Sequence, residues 1–552
     1  MSERPRVAIT TLATGVPGLD AVLGGGLPEF SLNLLVGSPG AGKTTLAHQL
    51  LFALATPVRP ALYFTVVGEP TLKLLRYQQQ FAFFDPAAVG SSIHFVDLTE
   101  LVQARDLGVV LAEIIRQVEA LAPGLVVVDS FQAVARAATG VAGDQMGLQE
   151  FMQRLAVFLT GWQATTFLLG DASDVELEGS PVLTIADGIV ELTQAVDGNS
   201  VVRKLQVRKA RGRAPMPGLH TFRIDDSGAQ VYPRMSPAVA ERERAMPPGR
   251  LPSGVLGLDE LLGGGLPIGD TVLISGPSGT GKSVLAAQFI AAGAASGEPG
   301  VIVVFEEHPQ EYLHRAAALG LDLPGFVARG AVEIIYLRPL DLSPDETLQA
   351  IREAVARTGA RRVVIDSLTG FELALAPGFR ADFRESLYRL VGALTGTGIT
   401  VLLTMEIVQN AGELRFSPNV ISFLADNILL LQYIETPGEL RTSLAVIKMR
   451  NSPHSKAFWW YEIAVGGLIV RGRTAGEQPG PRDQAGLTIR EGAVLGALIA
   501  LGETPLGPLA RRAGLPEADL QPALDRLITQ HFAVRVAGEG EPRYRAVARA
   551  AE

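Results

Sequence analysis

Unbroken apolar runs of five to seven residues recur along the chain. They are LNLLV (32–36), ALYFTVV (61–67), LVVVD (125–129) and TTFLLG (165–170), then TVLIS (271–275), GVIVVF (300–305), RVVID (362–366) and ITVLLT (399–404). Runs without polar alternation fit strands buried on both faces. Between them, DLGVVLAEIIRQVEAL (106–121) and DETLQAIREAVART (345–358) place apolar residues at helical spacing. Strands alternating with helices predict a doubly wound α/β domain, a mostly parallel twisted sheet flanked by helices. The pattern occurs twice.

The repetition extends to the residues themselves. GVPGLDAVLGGGLPEFSLNLLVGSPGAGKTT (15–45) is matched by GVLGLDELLGGGLPIGDTVLISGPSGTGKS (254–283), a shift of 239 from Gly15 to Gly254. A period this long exceeds a solenoid unit and marks a duplicated domain. The Pro-rich, charged stretch PRMSPAVAERERAMPPGRLP (233–252) reads as a linker, and GRTAGEQPGPRDQAG (472–486) as a second. The expected organisation is a first domain at 1–236, a linker at 237–252, a second domain at 253–474, a linker at 475–485 and a small domain at 486–552.

Composition narrows the classes. Of 552 residues 47% are hydrophobic and 19% charged, with a net charge of −9. That excludes a charge-rich disordered chain and argues against a nucleic-acid coat protein. The absence of cysteine excludes disulfides, Cys-ligated zinc and iron–sulfur clusters. The N-terminal MSERPRVAITTLATG has no apolar core of signal-peptide length, and no long apolar stretch is free of charge, Gly or Pro. The expected location is the cytoplasm, without membrane contact.

The chemistry lies in GSPGAGKT (37–44) and GPSGTGKS (276–283), both G-x-x-x-x-G-K-[ST] between a strand-like and a helix-like run. In the first loop Gly37, Ser38, Pro39, Gly40, Ala41 and Gly42, with Thr45 beyond, offer backbone N–H groups to phosphate oxygens. In the second Gly276, Ser278, Gly279, Thr280 and Gly281 do so. Lys43 and Lys282 reach the β/γ-phosphates. Thr44 and Ser283 are candidate Mg²⁺ ligands, and Asp129 and Asp366, at strand ends, are their expected metal partners.

GGGLP, the P-loop, FEEHPQEYLHRAAALGLDL, RVVIDS and AVIKMR (445–450), in duplicate architecture, resemble the KaiC family of RecA-superfamily ATPases over about residues 10–470. The resemblance implies two stacked rings of RecA-like domains, normally hexameric, with ATP between neighbouring subunits. It implies a catalytic Glu pair after the second strand, Glu306 and Glu307 here, one of which activates the attacking water. In the first copy Val67 and Gly68 stand at that place and Glu69 comes one position late, so hydrolysis is expected to be weak there and nucleotide binding kept. It also implies a Lys-x-Arg pair reaching the neighbour's ATP: Lys448 and Arg450 in the second copy, Lys209 and Arg211 in the first. The basic run Arg203–Arg213 carries an alternative reading as a nucleic-acid face. The family's adjacent phosphoacceptors align with Ser422 and Phe423, leaving Ser422 as a candidate Ser/Thr-autokinase acceptor and the two-site cycle lost.

Beyond 486, LTIREGAVLGALIAL, GPLARRAGL and PEADLQPALDRLITQHFA read as three helices, and VRVAGEGEPRYRAV as two strands around a turn. The order resembles a winged helix-turn-helix, whose third helix normally enters the DNA major groove. That helix carries Glu517, Asp519 and Asp525 against Arg526, and the segment's eight Arg balance its eight acids. A protein partner is favoured over DNA. Trp459 and Trp460 are expected on opposite faces of one strand, and Asp174, Glu176 and Glu178 in a solvated loop. The functional reading is an ATP-hydrolysing, nucleotide-dependent regulatory switch. The alternatives are a DNA-acting RecA-like ATPase and an ATP-sensing transcription regulator.

Overall fold

The computed structural model describes residues 9–66, 71–104, 106–131, 133–134, 145–170, 181–197, 200–234, 249–337, 342–380, 383–395, 397–407, 424–436, 439–450, 452–473, 494–495, 497–498, 501–513, 517–529, 533–536 and 542–546. Two compact units form. One comprises Met1–Arg242 with Leu337–Glu353 and Glu372–Gly392, the other Glu243–Tyr336, Ala354–Phe371 and Ala393–Glu552.

The first unit holds a nine-stranded sheet: β1 (Leu32–Gly37), β2 (Ala61–Thr65), β3 (Ile93–Asp97), β4 (Leu125–Asp129), β5 (Thr165–Gly170), β6 (Gly188–Asp197), β7 (Ser200–Ala210), β8 (His220–Asp225) and β9 (Gly228–Tyr232). Their order is β9-β8-β7-β6-β1-β5-β4-β2-β3. From β3 to β6 the pairs are parallel, and β6 to β9 are antiparallel. Every residue of β1, β2 and β5 is buried. Leu34 and Val36 enter one core and Leu35 the other, so both faces are covered. Two covered faces explain the unbroken apolar runs. Helices α1 (Lys43–Leu54), α2 (Leu107–Leu121) and α3 (Gln145–Gly161) belong to this unit, and Asp106 caps α2 by accepting from the N–H groups of Gly108 and Val109.

The second unit repeats the plan with β10 (Thr271–Gly276), β11 (Gly300–Val304), β12 (Val332–Tyr336), β13 (Arg362–Asp366), β14 (Thr400–Glu406), β15 (Asn427–Thr436), β16 (Glu439–Met449), β17 (Phe458–Ala464) and β18 (Gly467–Arg473). The order β12-β11-β13-β14-β10-β15-β16-β17-β18 is that of the first sheet, strand for strand. Its helices include α4 (Lys282–Ala295) and α5 (Pro309–Ala318). The Asp–Ser peptide bonds at 129–130 and 366–367 are both cis.

Sequence pattern missed one strand per sheet. β3 (IHFVD) and β12 (VEIIY) are edge strands with mostly half-buried residues, so polar His94 and Glu333 interrupt the apolar signal. Asp129 and Asp366 therefore end the fourth strand of their units, not the third. Trp459 packs on the core and donates from Nε1 to Ser455 Oγ at 2.9 Å, while Trp460 lies under the Arg441 guanidinium at 4.8 Å.

At the C-terminus α6 (Leu506–Ala513) and α7 (Glu517–Thr529) share a small core with β19 (Thr504–Pro505), β20 (Ala533–Val536) and β21 (Arg543–Ala546). The sheet has three strands in the order β19-β21-β20, one more than the sequence suggested. Two residues carry too little pattern to reveal β19. Most of the first expected helix of this segment lies outside the described residues, as do Val67, Gly68, Glu69, Ser422, Phe423, Asp174, Glu176, Glu178 and most of both linkers. Among the described residues no helix is long and apolar enough to cross a membrane.

His48 of α1 is fully buried, and neither ring nitrogen has a hydrogen-bond partner among the described residues. Burial lowers its pKa from 6.5 to about 3. Below pH 6.5 the unfolded chain binds a proton that the folded chain refuses, so stability is lost as pH falls from 6.5 towards 3. Between pH 6.5 and 5 this loss is about 2 kcal/mol. His48→Leu should flatten that acid slope in urea melts at pH 5 and 7. An unchanged slope would count against it.

Candidate nucleotide-binding sites

Each P-loop leaves the carboxyl end of its central strand, β1 or β10, and enters the N-terminus of α1 or α4. The turn into the helix needs φ of 103° at Gly42 and 88° at Gly281. A side chain there would also collide with Ile224 in the first unit and Ile463 in the second. Only glycine meets both demands.

In the first unit Lys43 is buried, and its ammonium donates to Gly37 O at 2.8 Å and Ser38 O at 3.1 Å. Thr44 Oγ1 donates to Asp129 Oδ2 at 3.0 Å. Gly40, Gly42, Lys43, Thr44, Thr45, Arg203 and Ile224 line a cleft of about 360 Å³. A buried ammonium, a helix N-terminus and a hydroxyl–carboxylate pair of hard oxygens suit a nucleotide phosphate with a divalent cation. The residues fit ATP and Mg²⁺: the loop and Lys43 for the phosphates, Thr44 and Asp129 for the cation.

In the second unit Lys282 donates to Gly276 O at 2.9 Å and Pro277 O at 2.8 Å. Burial lowers its pKa, opposed by the charges of Glu406 and Asp366. Asp366 Oδ1 accepts from Thr404 Oγ1 at 2.5 Å. Tyr461 donates to Thr280 O at 2.5 Å and Tyr433 to Ser278 O at 3.3 Å, so two phenols hold this loop from behind. The aligned first-unit residues are Phe222 and Gln194, which bear no phenol.

Glu306 and Glu307 follow β11, and the structure separates them. Glu307 forms an ion pair with Arg315 of α5 at 2.7 Å. Glu306 has no ion pair among the described residues. It rests beside Gly370, where an added methyl would lie 3.0 Å from its Cγ. Burial raises its pKa above the ordinary value, and the charges of Asp366 and Glu406 raise it further. Burial also raises Glu307, and Arg315 works against that rise.

The Lys-x-Arg pairs lie elsewhere. Lys209 stands opposite Ile189, which pairs with Leu34 near the start of β1, and Lys448 stands opposite Ile428, which pairs with Leu273. Each P-loop starts three residues further on, roughly 10 Å along the strand. A β-bulge precedes each lysine, between Ile189 and Val190 and between Ile428 and Leu429. Lys209 donates to Leu183 O at 2.8 Å and Lys448 to Ala425 O at 2.7 Å. Arg211 pairs with Asp187 at 3.2 Å and Arg450 with Asp426 at 3.1 Å. Neither pair comes to its own chain's P-loop.

Several members of the basic run make internal contacts. Arg208 pairs with Glu191 at 2.5 Å, and Arg213 donates to Gly24 O and Ile9 O at 3.2 Å. Arg203 lines the P-loop cleft, and its Nε has no partner among the described residues. Sequence reasoning missed Arg203 as a cleft residue, and also Tyr63, Thr404, Glu406 and Gly370. Only the alternation of β7, which puts Arg203 on the face of buried Leu205, hinted at the first.

Two P-loop cradles at the carboxyl ends of two like sheets define a tandem of RecA-like P-loop domains. The family model described as "ATPase: KaiC" matches residues 12–236 and again 251–475. The chain belongs to the KaiC ATPase family. It is similar to the circadian clock oscillator protein KaiC of Picosynechococcus sp., 28% identical over 475 residues, which cover 84% of this chain and 90% of that protein. The KaiC of Thermostichus vulcanus is 28% identical over 484 residues, 85% of this chain and 90% of that protein. KaiC 1 of Synechocystis sp. is 27% identical over 476 residues, with coverage of 85% and 90%.

Proposed function

We propose that the second domain hydrolyses ATP with Glu306 as the base, and that the first mainly holds nucleotide. The observation that carries this is the division of labour in the glutamate pair. Arg315 neutralises and fixes Glu307, whereas Glu306 has no counter-cation among the described residues, and burial raises its pKa above the ordinary carboxylate value. A base of that kind can take the proton of the water that attacks the γ-phosphate. Lys282 and the loop N–H groups hold the phosphates in line. Mg²⁺, held by Ser283 and Asp366, would neutralise phosphate charge. In the first copy Val67 and Gly68 cannot accept a proton, so Lys43, Thr44 and Asp129 bind without comparable turnover.

The site is completed by a neighbour. Lys448 and Arg450 lie at the opposite end of the sheet from their own P-loop, which suits service to the next subunit of a homo-oligomer, a hexamer by family likeness. Lys209 and Arg211 do the same for the first ring. ATP between subunits then stabilises the assembly and couples its state to nucleotide, as a regulatory switch requires. The C-terminal segment, a winged-helix-like module, supplies the protein-partner contact. Ser422 is a candidate autophosphorylation site, and phosphate incorporation lost in Ser422→Ala tests it.

The base reading carries a pH signature. Glu306 must be deprotonated to act, so turnover falls on the acid side through a limb lying above 4.5. Glu406→Gln removes one charge that raises Glu306 and should move the limb to lower pH in a kcat profile. A limb that stays put would contradict the assignment.

A further inference from the structure

The two metal-side carboxylates are held by different clamps. Asp129 Oδ2 accepts from Tyr63 Oη at 2.6 Å as well as from Thr44. Tyr63 lies on β2, opposite Val127 of β4, and its ring reaches along the sheet to Asp129 two residues further on. The phenol is fully buried. His48 meets its ring edge-on, with centroids 4.6 Å apart at 86°, and Phe95 of β3 lies 5.3 Å away at 44°. In the second unit the aligned residues are Ile302, Ala287 and Ile334, so the whole aromatic group is missing. Asp366 is instead clamped from the opposite neighbouring strand, by Thr404 of β14. Leu169, paired with Asp129, stands at the aligned position of the first unit.

We propose that Tyr63 is a positioning residue of the first site, which locks Asp129 in the orientation a nucleotide-bound divalent cation requires. A phenol hydrogen bond to a carboxylate is charge-assisted and short, so it fixes the rotamer. His48 and Phe95 leave the ring no room to swing away. With Oδ2 taken by two hydroxyls, the carboxylate is fixed beside Thr44, the other residue that would hold the cation. Thr404 does this for the second site with a smaller side chain. The inference rests on the reading of the first domain as a nucleotide holder.

The test uses the full chain with Lys282→Ala, which silences the second cradle, and a fluorescent ATP analogue titrated with Mg²⁺. Tyr63→Phe removes one oxygen and keeps the packing. It should raise the Mg²⁺ half-saturation for analogue binding by about 10-fold or more, the usual effect of losing a partner of a metal ligand. Adding Leu169→Thr, which imports the second unit's clamp, should restore part of that loss. A Mg²⁺ curve unchanged by Tyr63→Phe would overturn the inference alone, since a purely structural phenol alters melting and not Mg²⁺ dependence. No analogue binding in the Lys282→Ala parent at any Mg²⁺ concentration would overturn both the inference and the reading beneath it.

Discussion

Glu306→Gln is expected to lower ATP turnover by about 10²–10⁴-fold, the range for loss of a general base. Glu307→Gln should cost much less, because that carboxylate is engaged with Arg315 and serves to place the loop. Glu69→Gln should leave turnover close to the parent's. Amide for acid preserves shape, so a failure to fold would not account for the difference. Steady-state turnover of the three variants, with nucleotide binding measured alongside, decides the matter. If Glu307→Gln were the silent enzyme and Glu306→Gln active, the two carboxylates would exchange roles. If only Glu69→Gln were silent, the first domain would be the engine.

Arg450→Ala should be at least as damaging, because a cation supplied to the γ-phosphate of a neighbour is worth about 10³–10⁵ in rate. The decisive form of the experiment mixes two inactive proteins. One carries Arg450→Ala with an intact P-loop, and the other Lys282→Ala with an intact Lys448–Arg450 pair. In a ring with head-to-tail interfaces, equal random mixing rebuilds a complete site at about a quarter of the interfaces. Turnover should therefore return on mixing, and subunit exchange can be followed by mass. A mixture as inactive as its parts would mean that the pair does not act in trans. The strand register makes recovery the expected outcome, since Lys448 faces Ile428 and Arg450 pairs with Asp426, at the far end of the sheet from Gly276.

The sequence by itself determined the duplication, the α/β class, both P-loops and the strand-end aspartates. These are local signals: an apolar run is legible because both sheet faces are covered, and a glycine pattern because the turn at Gly42 demands it. Glu306 and Glu307 were also legible as candidates, though not the choice between them. That choice depends on Arg315, which folds back from α5, and on Asp366 and Glu406 from two other strands. Tertiary structure alone decided the clamps. Tyr63 and Asp129 are 66 residues apart, Asp366 and Thr404 are 38 apart, and no local pattern joins them. It also paired Arg208 with Glu191 and Arg211 with Asp187 and turned Arg213 to backbone carbonyls, contacts that no spacing in the run announces. The edge strands β3 and β12 and the two-residue β19 escaped notice because they bury too little for apolar pattern to show. What pattern records is burial and backbone conformation. Which polar groups meet is set by strand order and register, and these exist only once the sheet has formed.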